Sequence, residues 1–231
     1  MKHSLIEYAS KAFRLLDKTL LKQVRRIECE KEYYGTDYGG WYVCPKLIGV
    51  NSIIYSFGVG EDLSFDFALS ERFGAHIFAF DPTPRSIAWV KGQKLPAKFK
   101  FYSFGVSGID GFMEFYPPKN PDHISYSVVH RSTVSQKPIK VEMHRLPTIT
   151  RMLGHNVIDV LKLDVEGAEY RVLEDLLDSN LEVNQILVEF HHRNQKLGVL
   201  HTLKAIRQLN KRGYKVFHIS PNAEEFSFIL S

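Results

Sequence analysis

A glycine-rich turn after an apolar run is the first stretch of the sequence with residues suited to bind a cofactor. It reads IIYSFGVGEDLSFD over residues 53–66 and places Gly58 and Gly60 in a G-x-G spacing. A dinucleotide site needs a third glycine and a helix N-terminus that is free to bind phosphate. Here Glu61 and Asp62 stand where that helix begins, and their carboxylates can cap N–H groups but would repel a phosphate. The turn therefore selects against NAD.

The acidic turn suits a cofactor that has no phosphate. S-adenosylmethionine carries a sulfonium cation and a free ammonium group, and both favour nearby carboxylates. The alternative, from the turn alone, is a capped strand-to-helix connection that binds no ligand. Asp81 supports the first interpretation, because it ends the run FAFD about 20 residues after the glycines, where an acid hydrogen-bonds ribose hydroxyls. Asp81 could instead cap the turn before Pro82. The residues expected to bind the cofactor are therefore Gly58, Gly60, Glu61, Asp62 and Asp81.

Two further acids end apolar runs and are candidates for the chemical step. Asp164 ends VLKLD, and Glu189 lies in QILVEF just before His191 and His192. Methyl transfer from such a cofactor needs an acceptor held in line with the methyl group and a base that takes the acceptor's proton. We expect Asp164 to face both cofactor and acceptor as that base, with Glu189 and His191 or His192 beside it. Asp164 could instead cap the next helix, and histidines after strands are often surface residues.

Two other segments are expected to contact the cofactor. The backbone around Val106, in FGVSGIDG, could line the adenine ring. The aromatic segment EYYGTDYGGWYVCP contains Tyr38 and could close as a lid, because glycines beside anchoring rings can act as hinges. Core residues or dimer contacts would have the same composition.

No metal ion is expected in this site. Cys29 and Cys44 are the only cysteines, and neither has a CxxC or Cys/His spacing, which argues against structural zinc and for a reducing cytoplasm. The alternative is a metal-dependent O-methyltransferase, because Asp164, Glu166 and Glu189 offer the oxygen ligands that magnesium prefers.

Alternating strands and helices must position these residues. Five short apolar runs are typical of buried parallel strands, and stretches with apolar residues three and four apart separate most of them. The strands are SIIYSF, HIFAFD, FKFYSFGVSG, VLKLD and QILVEF, and the helices are DLSFDFALSERFG, EYRVLEDLLDSN and LHTLKAIRQLNKRG. The alternation predicts a doubly wound α/β sheet, whose strand ends would bring the acids to one crevice.

Two hairpins are predicted outside this alternation. Asp110 and Gly111 form a dipeptide typical of hairpin turns. The run YKVFHISPNAEEFSFIL has two strands around a polar turn, and we expect them to lie antiparallel at one edge of the sheet.

The first 32 residues are interpreted as an amphipathic helical extension of a domain that spans residues 33–231. Apolar residues recur there at roughly helical spacing beside basic ones, namely Leu5, Tyr8, Ala12, Leu16 and Leu20. Such a helix could lie on a membrane surface, but we expect it to pack on its own domain or on a second subunit in a homodimer. No apolar run could span a bilayer, and no signal-peptide pattern is present, so we expect a soluble protein.

The composition excludes some partners. The chain has 231 residues, 44% of them apolar, and a formal net charge of +4. These values are compatible with one large α/β domain. The mild charge lacks the clustered basic character of nucleic-acid binders, so no nucleic-acid partner is expected.

The stretch IDVLKLDVEGAEYRVL resembles the signature of the FkbM-type methyltransferases. The matching positions are Lys162, Asp164, Val165, Glu166, Gly167, Ala168 and Glu169. The resemblance extends from about Tyr34 to the last residue. It implies the class I fold, with a mostly parallel seven-stranded sheet and an antiparallel edge strand. It also implies S-adenosylmethionine-dependent O-methylation of a hydroxyl on a sugar, a glycan or a secondary metabolite.

One departure from the family pattern concerns the segment before this signature. Relatives commonly carry a Leu-Asp pair there, whereas this chain reads HRLPTIT, with Pro147 in place of the acid. His144, Arg145 or Thr148 must then take over whatever that acid orients. A non-catalytic module with a degenerate cofactor site is the third alternative, and the Gly58, Gly60 and Asp81 set argues against it.

Overall fold

A computed structural model of the protein describes residues 17–116, 137–193 and 198–231. Twelve strands lie in the described part: β1 Glu32–Tyr34, β2 Trp41–Val43, β3 Ile53–Phe57, β4 His76–Phe80, β5 Phe99–Tyr102, β6 Gly105–Val106, β7 Gly111–Phe115, β8 Ile139–His144, β9 Val157–Leu163, β10 Glu182–Glu189, β11 Tyr214–Ile219 and β12 Glu225–Leu230. The main helices are α1 Ser64–Phe73, α2 Pro84–Lys91, α3 Leu146–Leu153, α4 Glu169–Asp178 and α5 Gly198–Lys211.

Seven strands form the central sheet, in the order β11-β12-β10-β9-β3-β4-β5. Strand β12 is antiparallel to both of its neighbours, and the pairs among β10, β9, β3, β4 and β5 are parallel. This confirms the doubly wound, mostly parallel fold. The predicted hairpin near the last residues is also confirmed. Its first strand, β11, lies at the edge of the sheet, so the antiparallel strand β12 is second from that edge.

The central strands are buried on both faces, which explains their continuous apolar runs. Along β3, Tyr55 and Phe57 face one core cluster and Ile54 faces the other. Helices α3, α4 and α5 contribute to the first cluster, and α1 and α2 to the second. Because both faces are covered, the carboxyl ends of the strands are the natural place for a ligand.

The predicted Asp110-Gly111 hairpin is wrong. Strand β8 pairs with β6 in parallel and with β7 antiparallel, so it lies between the two strands that the dipeptide separates. The Asp110 carboxylate accepts hydrogen bonds from the Arg145 backbone N–H at 2.9 Å and the Thr148 hydroxyl at 3.0 Å. Asp110 therefore caps α3, whose own N-cap residue makes no side-chain cap. These two hydrogen bonds involve Arg145 and Thr148, which flank Pro147, the residue that replaces the acid of the family pattern. Pro147 itself lies within the first turn of α3.

The segment before β1 packs on the domain. Residues 17–22 are helical, and Leu21 is fully buried in the first core cluster. The Ile27 N–H donates to the Val216 carbonyl of β11 at 2.8 Å. This agrees with the expectation that the extension packs on its own domain. Leu5, Tyr8, Ala12 and Leu16 lie outside the described residues, and the boundary at residue 32 stays a prediction.

Within the described ranges, no helix is long and apolar enough to cross a membrane. Cys29 and Cys44 are both free thiols.

Candidate functional site

The structure brings all ten predicted site residues to one cavity of about 490 Å³. The cavity lies at the carboxyl ends of β3, β4, β9 and β10, and its volume is in the range of small-molecule sites. Its lining includes Tyr38, Gly58, Gly60, Glu61, Asp62, Asp81, Val106, Asp164, Glu189 and His191. His192 is not part of the lining. The convergence of the acids is thus observed, and their individual roles remain predictions.

The glycine turn has a backbone that only glycine adopts easily. Gly58 and Gly60 have φ values of +77° and +55°. A Cβ on residue 58 would lie 1.7 Å from the carbonyl oxygen of Asp164. Gly58 is therefore required by the contact between β3 and β9 as well as by any ligand.

The two acids after the glycines have different partners. Glu61 forms a two-pronged ion pair with Arg85, at 2.8 and 2.9 Å, and does not cap α1. Asp62 accepts hydrogen bonds from the Ser64 N–H at 2.7 Å and the Thr36 hydroxyl at 2.6 Å. Burial would raise the pKa of Asp62, but these hydrogen bonds outweigh burial and lower it. The expected cap is therefore made by Asp62 alone, because Arg85 holds Glu61.

Asp81 joins the turn to α2. It accepts hydrogen bonds from the Gly60 N–H at 3.0 Å, the Thr83 N–H at 2.9 Å and the Thr83 hydroxyl at 2.6 Å. The alternative role of Asp81, as a cap for the turn at Pro82, is therefore observed in part. A carboxylate has about four acceptor positions, so a further donor such as a ribose hydroxyl can still bind Asp81.

Four acids surround His191 at the far wall of the cavity. The distances from His191 Nε2 to the carboxylates of Asp164, Glu166 and Glu189 are 3.7, 3.7 and 3.9 Å. His191 Nδ1 lies 3.6 Å from Glu169, longer than a hydrogen bond. Burial would lower the pKa of His191, but the carboxylates of Glu169, Glu166 and Glu189 outweigh burial and raise it to about 10. At neutral pH the ring is an imidazolium, which attracts and orients carboxylates.

Glu189 is the acid whose protonation is most altered. Burial raises its pKa to about 8, with the Asp164 carboxylate adding to the rise and His191 opposing it. A carboxyl group that titrates near neutral pH is suited to general acid–base work.

Glu169 is a positioning residue that sequence reasoning placed only within the signature. It is fully buried and accepts hydrogen bonds from the His191 N–H and the Gly167 N–H, both at 2.8 Å. It thereby links α4 to the segment after β10 and fixes the loop in which Glu166 has a positive φ of 50°. The sequence signal was an acid in the first turn of a helix, which alone indicates only a favourable helix dipole.

The aromatic segment is a hairpin of β1 and β2 that is fastened to the turn. Trp41 is buried in the second core cluster, whereas Tyr38 is 77% exposed at the rim of the cavity. The Thr36 N–H donates to the Ser64 hydroxyl at 2.8 Å. A Cβ on Gly40 would lie 2.6 Å from the Tyr34 carbonyl oxygen, so this glycine serves close packing. In the structure the hairpin forms part of the cavity wall through Tyr38 and Trp41, and closure of a lid stays a prediction.

The structure also tests whether the acids could hold a metal. Asp164, Glu189 and His191 each offer one ligand atom within 4.8 Å of the others. The metal-dependent alternative from the sequence used Asp164, Glu189 and Glu166. In the structure, the third ligand that could join Asp164 and Glu189 is His191. Sequence reasoning also gave no site role to Lys162, Asp66, Arg193, Glu224 and Glu225, which line the same cavity.

Comparison with known proteins places the chain in a family. The family described as the methyltransferase FkbM domain matches residues 48–216. Two curated relatives, both named "Probable methyltransferase-like protein 24", are from Rattus norvegicus and Homo sapiens. They are 25% and 24% identical over 176 residues and cover 71% of this chain. The chain spans 42% of the length of these relatives.

Two solved structures have a partly similar course of the chain. Aeropyrum pernix fibrillarin, with natively bound S-adenosyl-L-methionine, has a TM-score of 0.45 and 12% identity, covering 90% of this chain and 85% of its own. The METTL16 MTase domain has a TM-score of 0.46 and 13% identity, covering 96% and 80%.

Proposed function

The chain belongs to the FkbM-domain methyltransferases, and we propose that it transfers the methyl group of S-adenosylmethionine to a hydroxyl group of a sugar, a glycan or a secondary metabolite. Family membership supports the methyltransferase activity. The hydroxyl acceptor rests on the chemistry of the cavity wall around Asp164.

The residues of the cavity fit S-adenosylmethionine as the cofactor. Bound there, it would supply an electrophilic methyl group on a sulfonium cation. Gly58 and Gly60 line the cavity, and Asp81 has acceptor positions for ribose hydroxyls. Glu61 and Asp62 make the turn unsuited to phosphate. A cavity of about 490 Å³ is large enough for a small-molecule ligand.

Asp164 is proposed to take the proton of the acceptor hydroxyl. Transfer would break the bond between the methyl carbon and the sulfonium sulfur, release S-adenosylhomocysteine and form a bond to the acceptor oxygen. The proton of that hydroxyl must leave, and a carboxylate on the cavity wall is a suitable acceptor for it. The His191 imidazolium, 3.7 Å from Asp164, orients this carboxylate. Glu189, with its pKa near 8, can share the proton. The juxtaposition of Asp164, Glu189 and His191 in one cavity is the single observation that carries the proposal.

The charge of the cavity supports a neutral or cationic acceptor. Its lining contains the acids Glu61, Asp62, Asp66, Asp81, Asp164, Glu166, Glu189, Glu224 and Glu225, against the cations Lys162, Arg193 and His191. A polyanion would be repelled from this wall. We therefore propose no nucleic-acid acceptor.

The proposal is tested in two stages. Calorimetry should show binding of S-adenosylmethionine or S-adenosylhomocysteine and no binding of NAD. The protein should then be incubated with a panel of hydroxylated acceptors, including sugars and glycans, and with RNA. Mass spectrometry should detect methylation on oxygen of the sugar or glycan acceptors and no methylation of RNA. Methylation of RNA, or of nitrogen, would contradict the acceptor class.

A chelator distinguishes the proposed metal-independent transfer from the metal-dependent alternative. The close approach of Asp164, Glu189 and His191 is the observation that favours it. Turnover that survives excess chelator supports Asp164 as a base that needs no metal. Turnover that is lost with chelator and restored by added magnesium would move the assignment to metal-assisted transfer.

A further inference from the structure

Cys29 and Cys44 are the only cysteines of the chain, and the fold brings their side chains together. A side-chain hydrogen bond joins the two thiols. Cys29 lies before β1 and Cys44 directly after β2, so the contact is at the open end of the hairpin that these strands form. The two residues are far apart in the sequence, which is why no CxxC spacing indicated the pair. The proposed methyl transfer uses neither thiol.

The backbone around the two cysteines continues this hairpin. Glu32 is opposite Val43 in the register of β1 and β2. Beyond that pair, Glu30 forms an ion pair with Lys46 at 2.8 Å. One residue of each pair adjoins a cysteine in the sequence. The two segments therefore stay side by side past the last paired strand residues, which is the arrangement that a disulfide between them needs.

The central sheet holds both segments in place. The side-chain amide of Gln185 on β10 accepts a hydrogen bond from the Cys44 N–H at 2.7 Å and donates to the Cys44 carbonyl at 3.1 Å. On the other segment, the Ile27 N–H donates to the Val216 carbonyl of β11 at 2.8 Å. Because each segment has its own contact with the sheet, the approach of the two thiols is a property of the fold.

The pair is accessible from the Cys29 side. Cys44 is buried, whereas Cys29 is partly exposed and lines a surface recess formed by residues 26–31 and Phe217. Burial raises the pKa of the Cys29 thiol to about 11, and the neighbouring Cys44 thiol adds to the rise. Because the thiolate is the nucleophile, Cys29 should react slowly at neutral pH. This is typical of a structural thiol and not of a redox-catalytic one.

We propose that Cys29 and Cys44 are an oxidation site at which the two thiols form an intramolecular disulfide. One cysteine attacks a small-molecule disulfide such as oxidised glutathione, loses its thiol proton, forms a mixed disulfide and releases one glutathione thiol. The second cysteine then attacks the mixed disulfide, which forms the bond between the two cysteines and releases the second glutathione thiol. The protein loses two electrons and two protons, and the glutathione disulfide is reduced to two thiols.

The disulfide would tether the segment that carries part of the cavity wall. Tyr38 and Trp41 line the cavity and lie within the loop of about 15 residues that the bond closes. Closing such a loop restricts mainly the unfolded chain, so the oxidised protein should be more stable than the reduced one. An oxidising compartment would form this bond, and a reducing one would keep the two thiols free.

The test compares oxidised and reduced protein. The folded chain is equilibrated with oxidised glutathione, free thiols are blocked by alkylation, and mass spectrometry of peptides locates the cross-link. We expect a cross-link between Cys29 and Cys44, no alkylated cysteine, and slower formation at pH 7 than at pH 9. Thermal unfolding should occur about 5 to 10 °C higher in the oxidised form. Cys29→Ser should abolish this difference and should unfold within about 2 °C of the reduced wild type.

Three results would overturn the proposal. Two alkylated cysteines after oxidation would show that the thiols do not reach bonding geometry. Separate glutathione adducts on both cysteines, or a disulfide between two copies of the chain, would show that each thiol reacts alone. A cross-link that forms equally readily in urea-unfolded protein would show that the fold does not favour it. The wild-type cross-link decides even if the serine variant does not fold. None of these results bears on methyl transfer, because neither cysteine takes part in it.

Discussion

Gly58 and Asp164 meet backbone to backbone where β3 and β9 end. The Asp164 N–H donates to the Phe57 carbonyl at 3.1 Å, and a Cβ on residue 58 would lie 1.7 Å from the Asp164 carbonyl oxygen. The first glycine of the cofactor turn and the proposed base therefore depend on the same interstrand contact. Any residue that pushes this contact apart changes both sites together.

Replacing Gly58 with alanine is expected to destabilise the fold. The added Cβ meets a backbone atom that cannot move aside, and residue 58 has a φ of +77°. The free energy of unfolding should fall by more than about 2 kcal/mol in urea denaturation. Gly49→Ala is the control, because no atom lies within 4 Å of its added Cβ. Equal stability of the two variants would contradict the proposed packing role.

Asp81→Ala is expected to weaken cofactor binding. The substitution removes the proposed charge-assisted hydrogen bonds to ribose, so the binding free energy of S-adenosylhomocysteine should weaken by about 2 to 3 kcal/mol. A calorimetric titration measures this change. Thr83→Ala is the matched control, since it removes one hydrogen bond to Asp81 but keeps the carboxylate. Similar affinities for Asp81→Ala and wild type would exclude Asp81 from the ribose site.

Asp164→Asn is expected to slow methyl transfer and keep most of the cofactor affinity. General-base assistance is typically worth about 10² to 10⁴ in rate, and asparagine has similar size but cannot accept the proton. Turnover and calorimetry on the same preparation separate the two effects. Full activity of this variant would end the base assignment.

The rate should depend on pH through Glu189, which lies beside the proposed base Asp164. Burial raises the pKa of Glu189 to about 8, so Glu189 holds a proton at pH 6 and releases it above pH 8. Because a base must be deprotonated, kcat/KM should rise with pH and level off above about pH 8. Glu189→Gln should move or abolish this rise. A profile that is flat from pH 6 to 9 in the wild type would contradict the prediction.

His191 should stabilise the fold in a pH-dependent way. Its folded pKa is raised to about 10 by surrounding carboxylates, so its contribution is fully present below about pH 6.5 and is lost as pH rises through 10. His191→Gln should therefore lower the free energy of unfolding by a larger amount at pH 6.5 than at pH 10.5. The comparison is made by urea denaturation at both pH values. A pH-independent loss would show that packing alone is removed.

The fold and the membership of the cavity could be predicted because their signals are local. Buried parallel strands have continuous apolar runs, and Gly74 ends α1 in the left-handed conformation that glycine favours. What could not be predicted depends on contacts between distant residues. Strand β8 separates β6 from β7, and Asp110 caps a helix that begins 36 residues later.

The protonation states of the site residues also could not be predicted from the sequence. His191 was expected to help as a base, and nothing in VEFHH shows that Glu166 and Glu169 of another segment come close enough to keep it charged. A histidine's pKa is set by its three-dimensional neighbours. The surroundings of Lys162 were likewise unpredictable: the sequence shows it only as a signature residue, whereas in the structure it is buried and donates to the Gly58 carbonyl.

The position of β12 has a consequence for biosynthesis. Strand β12 is translated after β10 and β11 but must insert between them, and Phe226 and Phe228 then fill the core on that side. While a ribosome is still making residues 225–230, β10 has an open edge with unpaired N–H and C=O groups, which can pair with another nascent chain. The sheet therefore closes only after residues 225–230 have been made, and a chain interrupted before residue 225 keeps an aggregation-prone edge beside the cavity.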